Sequence, residues 1–280
     1  MVSGGRILVT AKVPTYHDRL LESTTLAFKK LFDTCDASIL PKEIELHLST
    51  TLSTNAIIEG QGKPTAVLAT PGPGVNVKEL DLGFPITVLS GSVDHRGRKV
   101  APINRDEVIN AVNQAKDDGM TALAVVGKFS HRNPSHELEI EELILKETSF
   151  QAFSKSNYIT LGHRLSGRPN FPRRMATAYL NASIAHCQAL FVDMVRKFSA
   201  KAGNIRRVSL LKADGGTMQL GDSLVRPVET ILSGPAASIM GAEALSDYPD
   251  SNTVIVDIGG TTTDISVQIN GDTVFQRQGA

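Results

Sequence analysis

The sequence predicts an α/β fold in a chain of ordinary globular composition. Short apolar runs typical of strands alternate with longer stretches in which apolar residues recur at helical spacing. The composition is that of an ordinary globular protein, with 41% hydrophobic and 21% charged residues among 280. This length suits one large or two medium domains.

The first half alternates predicted strands and helices. The strands are predicted at residues 6–13, 44–48, 65–69 and 122–126, and the helices at 18–32, 105–119 and 137–146, with a short helix ending near residue 60. Pro14 stops the first strand, because proline lacks the backbone N–H that a ladder needs. Asp106 and Glu107 lie in the first turn of their helix, where the helix dipole favours acidic side chains.

A break rich in glycine, proline and basic residues follows at positions 162–172. Beyond it, residues 173–202 form the longest helical pattern in the chain, and Gly203 predicts its end. Strands are then predicted at 208–211, at 228–232 and in a run that ends at Asp257. A helix ending at Leu245 lies between the last two of these strands.

The run ending at Asp257 continues into the most informative segment of the chain, which we call the glycine loop. It consists of Asp257, Ile258, Gly259, Gly260, Thr261, Thr262, Thr263 and Asp264. Apolar and polar residues then alternate over 265–270, which predicts a second strand, and Asn270-Gly271 predicts a hairpin turn.

The residue types of the glycine loop suit phosphate binding. Two adjacent glycines allow positive φ and a close approach of ligand to backbone. Successive backbone N–H groups make an anion-binding concavity, to which threonine hydroxyls add donors. Carboxylates beside phosphate repel it unless a cation intervenes, so Asp257 and Asp264 indicate Mg²⁺. One of them could instead orient or deprotonate an attacking group.

The strand that follows the glycine loop excludes two common kinds of phosphate-binding loop. A P-loop requires Lys-Ser or Lys-Thr at the start of a helix, and a dinucleotide fingerprint also requires a following helix. Neither requirement is met here. A tight structural turn with exposed polar residues is the remaining alternative.

Two more glycine-bearing turns follow predicted strands in the second half. They are the Asp-Gly-Gly turn, with Asp214, Gly215 and Gly216, and the Ser-Gly-Pro turn, which begins with Ser233 and Gly234. Ligands of α/β sheets bind at the carboxyl ends of strands, so the three turns are expected to meet at one site. Each turn taken alone is better interpreted as an ordinary loop, and it is the repetition of such turns that favours a binding site.

Charge and cysteine usage narrow the class of protein. The formal net charge is zero, which argues against a nucleic-acid partner. Cys35 and Cys187 show no metal-ligand spacing and are expected to pack as small apolar groups in a reducing compartment. No signal-peptide core or membrane span is recognised, so we expect no membrane partner and a cytoplasmic location.

A few further polar residues are candidates for binding. The basic positions 163–168 and 173–174 could hold a carboxylate or phosphate, although a solvated linker is favoured. His95 is expected in a surface turn, and His131, His136 and His186 show no metal spacing. Thr51, Thr54 and Asn55 either line a cleft or cap a helix.

Four motifs together resemble the hydantoinase/oxoprolinase family, which includes N-methylhydantoinase A, 5-oxoprolinase and acetone carboxylase-type subunits. They are the Ser/Thr segment at residues 49–56, residues 211–216, residues 232–237 and the glycine loop, in that order. The resemblance implies two actin-like ATPase lobes of ribonuclease-H type, with mixed sheets flanked by helices. It also implies that residues 1–165 are the N-terminal region and that 166–280 begin the hydantoinase A domain.

The resemblance further implies a function. The glycine loop would be the second phosphate loop of an ATP site, with Mg²⁺ held by Asp257 and Asp264. ATP would then activate a cyclic amide, such as a hydantoin or 5-oxoproline, by phosphoryl transfer before ring opening. A second hydantoinase-type subunit or domain is the expected partner. The alternatives are a non-catalytic module of the same fold and a small-metabolite kinase.

Two departures from the family pattern accompany this resemblance. The family's own first Asp-x-Gly-Gly-Thr hairpin is missing before Ser3-Gly4-Gly5, and its glycine-rich adenosine segment is missing after Ala280. We therefore expect a fragment incomplete at both ends, which binds ATP weakly or not at all.

Overall fold

The structure is a computed structural model that describes residues 1–16, 19–35, 42–146, 159–246, 251–258 and 263–274. Its strands are β1 Val2–Ser3, β2 Arg6–Ile7, β3 Ile44–Leu48, β4 Thr65–Thr70, β5 Ile86–Val88, β6 Ser92–Val93, β7 Lys99–Ala101, β8 Ala122–Gly127, β9 Ile159–Leu161, β10 Ile205–Leu211, β11 Thr217–Gln219, β12 Thr253–Ile258, β13 Thr263–Ile269 and β14 Asp272–Thr273. Its α-helices are α1 Leu20–Thr34, α2 Leu52–Ile58, α3 Arg105–Asp117, α4 Ser135–Lys146, α5 Phe171–Ala202 and α6 Ser233–Ala244. The predicted α/β class, with mixed sheets flanked by helices, is confirmed.

A four-stranded parallel sheet, in the order β5-β4-β8-β9, forms the core of the first half. Every residue of β4 and β8 is buried, because helices cover both faces. On one face, Leu68 and Leu123 pack with Val112 of α3 and Ile140 of α4. On the other, the sheet packs against the first half of α5. Continuous apolar strands are what a sheet covered on both faces requires.

Helix α5 connects the two sheets that carry most of the core. Asn170 caps its start by accepting a hydrogen bond from Arg173 N, and Gly203, at φ +73°, ends it. Its N-terminal half packs on the four-stranded sheet through Met175. Its C-terminal half packs on β10 through residues that include Val195. The 32-residue helix spans about 48 Å at 1.5 Å per residue.

Strand β3 joins the first half of the chain to the second. It pairs in parallel with β10, and β10 pairs antiparallel with β11, giving a mixed sheet in the order β11-β10-β3. This pairing crosses the predicted domain boundary at residues 165/166, and that division stays a prediction. The third major sheet, β12-β13-β14, is antiparallel. Its last turn has Asn270 at φ +53° and Gly271 at φ +80°, as the Asn-Gly hairpin signal predicts.

Two predicted strands are wrong. Residues 228–232 form no strand; a 3₁₀-helix, Pro227–Thr230, lies there, and Thr230 Oγ1 donates to Pro227 O at 2.8 Å to close that turn. Residues 6–13 form a strand only at Arg6–Ile7. This strand pairs antiparallel with the two-residue strand β1. Leu8 N donates to Met1 O, and this is the last hydrogen bond between the two segments.

None of the helices in the described ranges is both long enough and apolar enough to cross a membrane. Cys35 and Cys187 are both free and half-buried.

Candidate functional site

The two aspartates of the glycine loop lie opposite one another at the open end of a hairpin. Strands β12 and β13 pair in register, with Asp257 across from Asp264 and Ile258 across from Thr263. Asp257 is exposed and Asp264 is half-buried. Gly259, Gly260, Thr261 and Thr262 lie outside the described residues. The two strands predicted to flank the loop are therefore observed.

This register puts two like charges side by side. Residues directly opposite in an antiparallel pair point to the same face, with Cβ atoms about 5 Å apart, and like charges there are destabilising. A divalent cation between the carboxylates offsets that repulsion, so the donor set of Asp257 and Asp264 fits Mg²⁺. Among the described residues, no group of three or more His, Cys, Asp or Glu is placed to hold a metal. Two carboxylates suffice for Mg²⁺ when phosphate oxygens and water complete its octahedron.

The Ser-Gly-Pro turn is held against the Ser/Thr segment at residues 49–56. Ser233 begins α6 and is completely buried. Its Oγ donates to Thr50 O at 3.2 Å and lies 3.4 Å from Ser49 Oγ. Leu232 N donates to Thr54 Oγ1 at 3.0 Å. The side chain of Thr54 therefore contacts the turn.

Neighbouring contacts make this interface tight. Thr230 Oγ1 lies 3.1 Å from Ser53 Oγ, and both residues are buried. A Cβ at Gly234 would lie 3.4 Å from Thr51 Cγ2, so the turn and the segment are in van der Waals contact. Thr51 is the N-cap residue of α2 without a side-chain capping bond, and Thr50 Oγ1 accepts a hydrogen bond from Leu52 N at 3.2 Å instead. The sequence predicted either a cleft lining or a helix cap for this segment, and it carried no signal for the partners observed here.

The Asp-Gly-Gly turn joins β10 to β11 and packs on α6. Gly215 has φ +79°, and a Cβ there would lie 3.2 Å from Met240 Sδ of α6. Gly216 N donates to Asp214 Oδ1 at 2.9 Å, which closes the turn. Ala213 N donates to the carbonyl of Glu229 in the segment before the Ser-Gly-Pro turn. The two turns therefore lie side by side.

Lys212 is a charged residue of this region that the sequence analysis did not single out. Its ammonium lies 2.9 Å from Asp214 Oδ2 and 3.5 Å from Glu229 Oε2. The hydrogen bond to Asp214 raises the pKa of Lys212, and the same bond, with that from Gly216 N, lowers the pKa of the Asp214 carboxyl. Both groups are therefore charged at neutral pH. In the sequence, the only indication of this ion pair was that Lys212 and Asp214 lie two positions apart.

The expected meeting of all three turns is observed for two of them. For the third, the glycine loop, the described residues show that the sheet carrying it contacts α6: Glu243 accepts hydrogen bonds from Gln268 Nε2 and Thr273 Oγ1. The position of the loop's tip relative to the other two turns stays a prediction. The idea that all three turns follow strands is wrong for the Ser-Gly-Pro turn, which follows a 3₁₀-helix.

A second polar cluster lies at the carboxyl ends of β8 and β9. Glu137 is completely buried and accepts hydrogen bonds from Gly127 N at 2.8 Å and His163 N at 2.9 Å. His163 Nδ1 lies 2.6 Å from the same carboxylate. Arg174, 2% exposed, donates to Ser130 Oγ and to Gly127 O. The solvated-linker interpretation is therefore wrong for His163 and Arg174. Both residues make hydrogen bonds at the carboxyl ends of the strands, His163 to Glu137 and Arg174 to Gly127.

Three other histidines are kept neutral by burial. Desolvation is the main cause that lowers the pKa of His131, His136 and His186. His136 is 3% exposed, and neither of its ring nitrogens has a hydrogen-bond partner within the described part of the chain. His95 is exposed in a turn, as predicted.

Comparisons with known proteins show which protein family this chain resembles. The family model for the hydantoinase/oxoprolinase N-terminal region matches residues 1–148, and the hydantoinase/oxoprolinase model matches residues 174–279. The caprolactamase subunit alpha of Pseudomonas jessenii is 22% identical over 81% of this chain and 35% of its own length. The 5-oxoprolinase 1 of Arabidopsis thaliana is 25% identical over 79% of this chain and 20% of its own length.

Among solved structures, acetone carboxylase in its nucleotide-free form superimposes with a TM-score of 0.77 at 15% identity. The match covers 93% of this chain and 40% of that one, and it shows a shared fold. The chain thus spans between a fifth and two-fifths of the length of these relatives. With family models matching both halves, the chain belongs to the hydantoinase/oxoprolinase family.

Proposed function

We propose that this chain supplies the nucleotide-binding part of an ATP-dependent enzyme that activates a small cyclic amide by phosphoryl transfer before the ring opens. The observation that carries the proposal is the pairing of Asp257 with Asp264 at the mouth of the glycine loop. Relatives named 5-oxoprolinase and caprolactamase support a cyclic amide of the 5-oxoproline or hydantoin class.

Each part of the site has a role in this proposal. Asp257 and Asp264 hold Mg²⁺, which neutralises phosphate charge. The backbone N–H groups of Gly259 and Gly260 and the hydroxyls of the three threonines donate to phosphate oxygens. The Asp-Gly-Gly turn and the Ser-Gly-Pro turn contact the rest of the nucleotide, since they lie against α6, which also contacts the β12-β13-β14 sheet. Positioning and charge neutralisation are what phosphoryl transfer mainly requires.

A second subunit or domain of hydantoinase type completes the proposed enzyme. The relative from Pseudomonas jessenii is described as a subunit, which supports this arrangement. We place the enzyme in the reducing environment of the cytoplasm, consistent with two free cysteines.

Nucleotide binding is tested by a ligand-observed NMR titration of ATP with and without Mg²⁺. One predicted phosphate loop lies in this sequence, so we expect weak binding, with a Kd of about 1 mM, or about −4 kcal/mol. Mg²⁺ should tighten it by about tenfold, or about 1.4 kcal/mol, because the carboxylate pair repels uncomplexed phosphate. In the double variant Asp257→Asn, Asp264→Asn, the Mg²⁺ effect should disappear.

The matched control is Asp272→Asn, which removes an exposed carboxylate from β14 and should keep the Mg²⁺ effect. Equal ATP affinity with and without Mg²⁺ in the wild-type chain would contradict the assigned role of the aspartates. An absence of ATP binding under both conditions would favour the non-catalytic module. If ATP binds, release of phosphate stimulated by 5-oxoproline or hydantoin supports the amide-activating enzyme, whereas a stable phosphorylated metabolite identifies a kinase.

A further inference from the structure

The ammonium group of Lys212 lies between two carboxylates that belong to different segments of the chain. Its Nζ is 2.9 Å from Asp214 Oδ2 in the Asp-Gly-Gly turn and 3.5 Å from Glu229 Oε2 in the 3₁₀-helix before the Ser-Gly-Pro turn. The backbone makes a second connection at the same place, because Ala213 N donates to Glu229 O at 3.1 Å. Lys212 therefore adds a charged bridge between two segments that one backbone hydrogen bond already joins.

This bridge differs from the surface ion pairs of the same structure. Among the described residues, Lys99, Lys146 and Lys197 each contact one carboxylate, and their side chains are 48–70% exposed. The side chain of Lys212 is 23% exposed and that of Glu229 is 25% exposed. Water and salt screen partly buried charges less than exposed ones. The bridge is therefore expected to contribute more than an ordinary surface pair.

The aliphatic part of Lys212 packs against the Asp-Gly-Gly turn. A Cβ at Gly216 would lie 3.2 Å from Lys212 Cε, so the lysine stem lies directly against the backbone of the turn. Lys212 N donates to Gly216 O at 2.9 Å, and Asp214 Oδ1 accepts a hydrogen bond from Gly216 N. The turn is thus closed around the lysine, and these contacts fix the position of the ammonium group.

Glu229 is held in place by other contacts on its own segment. Its Oε1 accepts a hydrogen bond from Arg226 Nη1 at 3.1 Å, so each carboxylate oxygen faces one cation. The next residue, Thr230, is buried and lies 3.1 Å from Ser53, measured between the two hydroxyl oxygens. The Ser-Gly-Pro turn begins at Ser233, a few residues further on. A shift of Glu229 therefore moves the segment that carries this turn.

We propose that Lys212 is a positioning residue of the nucleotide site, which holds the Asp-Gly-Gly turn and the Ser-Gly-Pro turn at the spacing that ATP requires. The inference rests on the proposed function, because it takes ATP as the ligand of the two turns. Asp214 and Glu229 both contact one ammonium group, so without it their carboxylates would repel each other. The two turns would then move apart, and their contacts with the nucleotide would weaken.

Hydrogen exchange in residues 212–216, followed by mass spectrometry, and the NMR titration with ATP and Mg²⁺ test this role in the full chain. Lys212→Met keeps the length of the side chain and removes its charge. It should speed exchange of the turn amides and weaken ATP binding, each by at least about fivefold, since an exposed ion pair contributes at most about that much. Lys212→Arg keeps the charge and should restore both properties.

Two further variants separate positioning from a general loss of stability. Glu229→Gln, added to Lys212→Met, removes the repulsion between the carboxylates and should recover part of the ATP affinity, which a second destabilising change would not do. Lys197→Met is the matched control, because Lys197 contacts Asp193 of α5 at 2.6 Å and both side chains are more than half exposed. It should leave exchange in the turn and ATP affinity unchanged. Circular dichroism establishes that each variant is folded.

The possible outcomes distinguish this inference from the proposed function. Exchange at the wild-type rate in Lys212→Met would overturn the inference, whatever the ATP affinity. If the wild-type chain binds ATP and Lys212→Met binds it equally well, the positioning role is wrong and the proposed function stands. Equal losses in Lys212→Met and Lys212→Arg would also contradict the inference, because charge would then not matter. A wild-type chain that binds no ATP would overturn the nucleotide role of the turns together with the proposed function.

Discussion

At the scale of single residues, Glu137 holds together the carboxyl ends of two strands. Its carboxylate accepts two backbone N–H groups, from Gly127 at the end of β8 and from His163 after β9, and it also contacts His163 Nδ1. Glu137→Ala would leave both backbone donors without their acceptor. We expect a loss of about 3–5 kcal/mol in the free energy of unfolding, measured by urea denaturation.

Two further variants separate this role from general effects on α4. Glu137→Gln keeps the shape and one acceptor oxygen, so it should lose less stability than Glu137→Ala. Glu142→Ala changes an exposed glutamate on the same helix and should leave stability unchanged. If Glu137→Ala were as stable as Glu142→Ala, the carboxylate would have no structural role.

His136 makes stability depend on pH. Burial lowers its pKa from the ordinary value of 6.5, with Lys99 adding to the effect and Glu139 opposing it. As pH falls below 6.5, the unfolded chain binds a proton that the folded chain binds only at lower pH. Folding stability therefore decreases with acidity, by up to about 1.4 kcal/mol per pH unit for this residue.

Urea denaturation at about pH 7.5 and at about pH 5.5, on either side of the ordinary histidine pKa, measures this dependence. His136→Phe removes the titrating group while keeping a planar ring, so its stability should fall less between the two pH values. His131 and His186 have pKa values lowered in the same direction, and a smaller pH dependence should remain. An unchanged difference between the two pH values in His136→Phe would assign the acid sensitivity to other groups.

At the scale of elements, most of the strands and helices that have a regular apolar spacing or clear end residues were predicted from their own sequence. The β3 bounds agree with the sequence prediction, and α5 begins two residues early, at Phe171, because Asn170 provides the cap. The Asn-Gly turn after β13 was predictable because only particular residues adopt its left-handed backbone. These features depend on residues close in sequence.

The errors at this scale involve partners distant in sequence. Residues 228–232 have strand-forming side chains, but Thr230 and Ser233 contact residues of the Ser/Thr segment that lie 177 and 183 positions earlier, and no described strand pairs with them. Glu137 and His163 likewise gave no recognisable motif, since their contact exists only once β8 and β9 are adjacent. The pairing of Asp257 with Asp264 was within reach of sequence reasoning because a short loop separates their strands.

At the scale of the whole molecule, α5 and the β3–β10 pair couple the two halves. Met175 is fully buried in the first half, and Val195 is almost fully buried in the second, on one continuous helix. Strand β3, from the first half, is hydrogen-bonded to β10, from the second. These connections favour cooperative unfolding of the described core over separate unfolding of two domains divided near residue 165.

Met175→Ala tests this coupling. The cavity it leaves should cost about 2–5 kcal/mol. Hydrogen exchange followed by mass spectrometry should then show faster exchange both in β8, which α5 covers, and in β10, which belongs to a different core cluster from Met175. Leu190→Ala, at a 60% exposed position on the same helix, should leave exchange in both strands unchanged. Loss of protection confined to β8 would instead mean that the two halves open independently, as the domain division predicted from the sequence implies.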